Sequence, residues 1–144
     1  MKFWDSSALV PLILEEPHSK ACRQLVRTDP TQLVFCFTRT EILSAIWRKR
    51  REGLLDATDV QAAEDRLDKL AEHWTEVDSV TPVRDAAEKL LRAHPLRAAD
   101  SLQLGACVAI FGTHRRDREF VVLDDLLAEA ARQEGFKVVV PRAR

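Results

Sequence analysis

Cysteine is scarce in this chain and follows no pattern. Cys22, Cys36 and Cys107 are odd in number and far apart, and none falls in a Cys-x-x-Cys pair. That excludes a disulfide framework or a zinc site of ordinary spacing, and buried reduced thiols are the expectation. Histidine is equally thin: His18, His73, His94 and His114 include no pair one helical turn apart, so a histidine-based metal centre is not indicated. An excess of one charge is also missing. The formal net charge is −1 at pH 7, so no overall basic field draws a polyanion to the surface. Long hydrophobic runs are absent. The stretch from Leu102 to Gly112 contains Gln103 and is too short to cross a bilayer. At the N-terminus Asp5 breaks the apolar opening, and Glu15-Glu16-Pro17 stands where a small-residue cleavage site would be needed. A soluble, cytoplasmic chain is expected.

What is present is the material of one ordinary domain spanning residues 1–144. At 144 residues and 46% apolar content the chain can bury a core without covalent help. No repeat, linker or low-complexity tract divides it. Two basic runs occur, Arg48-Lys49-Arg50-Arg51 and Arg115-Arg116-Asp117-Arg118. The first closes a helical pattern just before Gly53, where positive charge suits the carbonyl end of a helix. An RNA-binding patch is the sharper alternative for either run.

Apolar periodicity alternates short runs with longer amphipathic stretches. Strands are expected over 2–4, 33–37, 75–77, 120–123 and 137–140. Helices are expected over 7–14, 18–28, 39–51, 57–73, 83–93, 98–111 and 125–134, with Gly53 and Gly135 as C-terminal caps. The strands are short and nearly all apolar, as when both faces are covered. Strands interleaved with helices predict an α/β fold with a parallel sheet. In such sheets ligands bind beyond the carboxyl ends of the strands, where strand order reverses.

Four acidic residues fall at such positions. Asp5 follows the first strand, Glu41 lies in the first turn after the second, Asp100 opens a mostly apolar helix, and Asp124 ends the fourth strand. Each has a purely structural alternative. Thr38-x-x-Glu41 matches a capping box, Asp5 and Asp124 can be N-caps, and Asp100 suits the positive end of a helix. Against capping alone, Ser6 and Ser7 are available to cap in place of Asp5. Asp100 also sits in a helix that should be largely buried, where a lone charge is expensive. No competing chemistry is visible, since there is no Ser-His-Asp spacing, Gly-rich phosphate loop or Gly-x-Ser-x-Gly elbow.

The segments Asp5-Ser6-Ser7-Ala8-Leu9-Val10, Arg39-Thr40-Glu41-Ile42, Leu96-Arg97-Ala98-Ala99-Asp100-Ser101-Leu102-Gln103-Leu104 and Leu123-Asp124, with Ala130-Ala131 and Gly135-Phe136, resemble the PIN-domain family. Within it they are most similar to VapC-type toxins of bacterial toxin–antitoxin pairs. The resemblance spans essentially the whole chain. It implies a PIN-like three-layer fold, with a five-stranded parallel sheet flanked by helices, and endoribonuclease activity dependent on Mg²⁺, with Mn²⁺ as a substitute. A homodimer and neutralisation by a VapB-type antitoxin are also implied. Asp5, Glu41, Asp100 and Asp124 carry over as the catalytic quartet. On this reading Asp5 and Asp100 hold the principal ion, Asp124 completes its shell or holds a second ion, and Glu41 orients a water. Where the family carries Thr or Ser two residues before the last acid, this chain has Val122, so a supporting hydroxyl is expected to be missing. Asp124 is preferred to its neighbour Asp125 because it ends the strand.

Arg97, one turn before Asp100, is either a phosphate contact or a structural partner of a nearby acid. Trp47 and Trp74 are expected to pack in the core or a dimer interface rather than to stack on bases. Three rival functions stay open: a weakly active binding protein of this fold, a small-molecule phosphoryl-transfer enzyme, and a PIN-like nuclease of RNA processing outside any toxin–antitoxin pair.

Overall fold

The computed structural model describes residues 1–143. Among them five short strands interleave with seven helices: β1 (Phe3–Trp4), α1 (Ser6–Ile13), α2 (Ser19–Thr28), β2 (Leu33–Phe35), α3 (Thr38–Arg51), α4 (Ala57–Ala71), β3 (Thr75–Val77), α5 (Val80–Ala93), α6 (Ala98–Phe111), β4 (Glu119–Val121), α7 (Asp125–Gln133) and β5 (Lys137–Val139). The strands form one sheet in the order β3-β2-β1-β4-β5. Every pairing is parallel, with Phe3 opposite both Leu33 and Phe120. The expected α/β architecture and its parallel sheet are present.

Alternation along the strands builds the layers, because successive side chains point to opposite faces. Phe3, Phe35 and Phe120 turn to one side and pack with Val83, Leu90, Leu104, Leu127 and Ala131 of α5, α6 and α7. The rings of Phe3 and Phe120 stack across neighbouring strands at 5.6 Å. Trp4, Val34 and Val121 turn the other way, onto Leu9, Ile42, Ile46 and Leu67 of α1, α3 and α4. The result is helices, sheet, helices, with a dry core on each side of the strands.

Gly53 (φ 78°) and Gly135 (φ 94°) follow the ends of α3 and α7 in the left-handed region, where an L side chain is strained. The amides of Gly53 and Leu54 return to Arg50 and Lys49, and those of Gly135 and Phe136 return to Arg132 and Ala131. Both helices therefore end in the Schellman pattern. Gly105 answers a different demand. A Cβ there would lie 2.9 Å from the Val83 carbonyl oxygen and 3.1 Å from the Ala87 nitrogen, so its bareness sets how closely α6 approaches α5.

Residues of both basic runs make structural contacts. The first forms the last turn of α3. In the second, Arg115 pairs with Glu134 at 2.9 Å and lies over the Phe136 ring, while Arg118 lies over Phe111. All three cysteines are free, with Cys22 and Cys107 buried. No helix among the described residues is long and apolar enough to cross a membrane.

Candidate metal centre

Strand order reverses at β1, which has β2 on one side and β4 on the other. The crevice beyond the carboxyl ends of β1 and β4 is the switch point at which parallel sheets place ligands. Asp5 follows β1 there and Asp124 follows β4, while α3 and α6 bring in Glu41 and Asp100 from their first turns. All four carboxylates line a single cleft of about 800 Å³.

Asp5 is the N-cap of α1, its Oδ2 accepting the Ser7 amide at 3.0 Å. The capping alternative for Asp5 is thus realised, although Ser6 and Ser7 were also available for it. Both serines are used elsewhere. Ser6 lies close enough to Glu41 to lower its pKa, and Ser7 Oγ accepts the Leu123 amide at 3.0 Å, tying α1 to the end of β4. Capping occupies only one oxygen of Asp5. The residue is 2% exposed, and its Oδ1 is buried with no hydrogen-bond partner. An ionised carboxylate can only accept. A buried acceptor without a donor calls for a proton or a cation.

A second buried acid provides the contrast. Asp29, 4% exposed, accepts the Trp4 indole N–H at 2.8 Å and the Lys2 amide, and the N-terminal amine lies 3.6 Å away. It is a satisfied anchor for the start of β1, and sequence reading passed over it. Burial is shared by the two acids; the orphaned oxygen belongs to Asp5 alone.

The capping box across Thr38 and Glu41 does not form. Phe37 occupies the N-cap position of α3, and Thr38 is its first helical residue. Gln103 replaces that geometry: its Nε2 donates to Glu41 Oε2 at 2.6 Å and to Thr38 Oγ1 at 2.9 Å. A buried amide thus fixes the Glu41 carboxylate, and Ser6 nearby also lowers its pKa. In the sequence Gln103 stands out only as a polar residue in the apolar stretch from Leu102 to Gly112. Its spacing of three residues from Asp100, on one face of α6, is the signal that finds it.

Asp124 caps α7, its Oδ1 accepting the Leu127 amide at 2.8 Å, and stands at the open rim of the cleft. Asp125 turns aside to pair with Arg142, which supports the choice between the two. Val122 is fully buried among the α5–α7 side of the core, so its side chain does not reach the cleft. The hydroxyl at this corner comes from Ser7. Arg97 is exposed at the N-cap of α6 and moderates the Asp100 charge. Neither tryptophan lines the cleft. Trp47 is 43% exposed rather than core, and the half-buried Trp74 donates to Glu76 at 3.2 Å.

Electrostatics reflect the crowding. Burial raises Asp5 from 3.8 to about 7 against the lowering effect of its Ser7 bonds, and the charges of Glu41 and Asp100 add to the rise. Glu41 is raised by burial and by Asp100, although Ser6 and Gln103 pull it down. Asp100 is raised by burial and by Asp124, with Arg97 opposing. Asp5 thus feels Glu41 and Asp100, Glu41 feels Asp100, and Asp100 feels Asp124, so the carboxylates share one electrostatic neighbourhood.

An all-oxygen donor set of carboxylates and hydroxyls suits a hard cation such as Mg²⁺ or Mn²⁺. As the side chains stand, no three His, Cys, Asp or Glu residues among the described residues converge into a ready-made ligand set. Mg²⁺ usually takes only one or two carboxylates and keeps several waters. The orphaned Asp5 Oδ1 and the acids around it fit such an ion.

Fold and cleft together define a three-layer α/β protein with a carboxylate-rich crevice at its switch point. No family model matches the chain, and no curated protein matches it.

Proposed function

We propose that this chain is a Mg²⁺-dependent endoribonuclease, similar in fold and site to the VapC-type toxins of the PIN-domain family. The single observation that carries the reading is the buried, unpartnered Oδ1 of Asp5, a residue lining the cleft that also holds Glu41, Asp100 and Asp124. A purely structural cap has no use for that oxygen.

Asp5 and Asp100 would hold the principal ion, and Asp124, at the rim, would complete its surroundings. When bound, the ion neutralises the approaching phosphate and lowers the pKa of attendant water. The protein supplies the rest. Ser7 fixes the Asp5 carboxylate through one oxygen and leaves the other for the cation. Gln103 holds Glu41 so that its remaining acceptor capacity can orient, and take a proton from, a water attacking in line with the leaving ribose oxygen. A VapB-type antitoxin covering the acidic cleft, and a homodimer, belong to the same proposal.

The test is cleavage of varied RNAs by purified protein with Mg²⁺, Mn²⁺ or EDTA, beside Asp5→Asn and Asp100→Asn. The expected result is metal-dependent cutting that both variants lose. Cutting that survives EDTA or both substitutions would overturn the proposal. A short antitoxin-like reading frame beside this one separates a toxin from a processing nuclease.

A further inference from the structure

The lining of the cleft extends beyond the acids. From Glu41 the lining continues along one face of α3 through Ser44 and Ala45 to Arg48. Arg48 lies seven residues on from Glu41, about 10 Å along the axis. Ser44 and Ala45 leave the floor between them low. Arg48 is exposed, and its guanidinium enters no ion pair or side-chain hydrogen bond among the described residues. Its three basic neighbours do not line the cleft.

Phe37 stands beside the acids on the same wall. Its ring is 48% exposed, yet it is held in place by an edge-on contact with the buried Phe35, centroids 5.0 Å apart at 62°. A large apolar ring braced from behind and open in front is a platform without an occupant. It begins α3, one turn before Glu41, so whatever rests on it lies next to the acidic centre.

From this arrangement we infer that the cleft is a track for a single nucleic-acid strand, with Phe37 stacking the base next to the scissile phosphate and Arg48 holding a further phosphate along α3. The inference rests on the nuclease reading and deepens it by assigning two substrate-binding residues outside the carboxylate cluster. Charge complementarity argues for this occupant. Along α3 the acidic centre stands between the Phe37 ring and the Arg48 guanidinium, so a strand laid across it places a base on one side and a further phosphate on the other. A duplex keeps its bases stacked on each other, so only an unpaired strand can offer one to Phe37. Phe37 and Arg48 are specificity and positioning residues; neither touches the reacting atoms.

The test uses short single-stranded RNAs, one series carrying 2-aminopurine, with the full chain and the variants Phe37→Ala, Phe37→Trp and Arg48→Gln in Mg²⁺. Base–aromatic stacking predicts that Phe37→Ala raises KM or Kd roughly tenfold with kcat within about twofold, and that Phe37→Trp restores binding. Quenching of 2-aminopurine on binding should be lost in Phe37→Ala and kept in Phe37→Trp. Arg48→Gln should lower the slope of log affinity against log salt by about 0.7, one phosphate contact on a single strand. Cleavage with unchanged KM, quenching and salt slope in these variants would overturn the track and leave the nuclease standing. Strand binding with these effects but no cleavage would support the track and sink the nuclease. A change of oligomeric state in Phe37→Ala without loss of RNA affinity would assign the ring to a protein contact and overturn the inference.

Discussion

Replacing Asp5 by Asn should make the metal-free protein more stable while removing its response to Mg²⁺. Burial holds the Asp5 carboxyl near 7 instead of 3.8. The folded chain thus keeps a proton that the unfolded chain releases. Stability is then fullest below about pH 4 and is lost as pH rises toward 7. At about 1.4 kcal/mol per pH unit, the full displacement is worth at most about 4 kcal/mol. Asn still accepts the Ser7 amide, but its NH₂ takes the place of an oxygen that has no partner. Leaving that group unpaired costs about 1–3 kcal/mol. The net gain at pH 8 is therefore about 1–3 kcal/mol, or roughly 3–9 °C in Tm for a chain of this size. The assay is thermal and urea unfolding in EDTA between pH 4 and 8.5, repeated with saturating Mg²⁺. The native protein should weaken across pH 4–7 and recover with Mg²⁺, by about 2.7 kcal/mol at a hundred times Kd. The variant should be flatter with pH and indifferent to the ion. A variant less stable than the native protein at pH 8 in EDTA would refute the reasoning. So would a native protein whose stability does not fall between pH 4 and 7.

Gln103→Leu removes the buried donor from Glu41 while filling similar space; kcat should fall roughly 10²-fold with Mg²⁺ affinity little changed, measured by cleavage kinetics beside a metal titration. Gly105→Ala should destabilise by about 1–3 kcal/mol in urea unfolding, because the new methyl meets the backbone of Val83 and Ala87, which cannot yield like a side chain. Glu134 is held below its ordinary range by His94, 2.7 Å away, and by Arg115. Its contribution is present above about pH 4.5 and lost as pH falls through the lowered value, so Glu134→Gln should flatten that acid limb of the stability curve.

The strands were legible because buried parallel strands write themselves as short apolar runs, and the helices because their faces repeat. Boundaries moved by one to three residues: β2 ends at Phe35, since Phe37 already caps α3, and α5 begins at Val80 rather than 83. Gly53 and Gly135 were readable as caps because each helix pattern stops just before a residue free to take positive φ. The positions of the four acids were visible, but their hydrogen bonds were not. Whether Ser7 or Asp5 caps α1, and whether Thr38 reaches Glu41 or Gln103, depends on contacts between elements far apart in sequence. Gln103 and Thr38 are 65 residues apart, and Ser7 and Leu123 are 116 apart. Val122 misled for the same reason. Its absent hydroxyl matters only if the side chain faces the cleft, and the strand turns it into the core. Trp47, read as packing in the core or a dimer interface, is 43% exposed and so is not part of this chain's core.

The most direct test of the shared cation site is calorimetric titration of the metal-free protein with Mn²⁺ at pH 7, in two buffers of different ionisation enthalpy, beside Asp5→Asn and Asp100→Asn. With Asp5 near 7, binding should release about half a proton or more, and both variants should bind at least tenfold more weakly with the proton release reduced. Binding that neither substitution weakens, or no binding at millimolar Mn²⁺, would contradict the account.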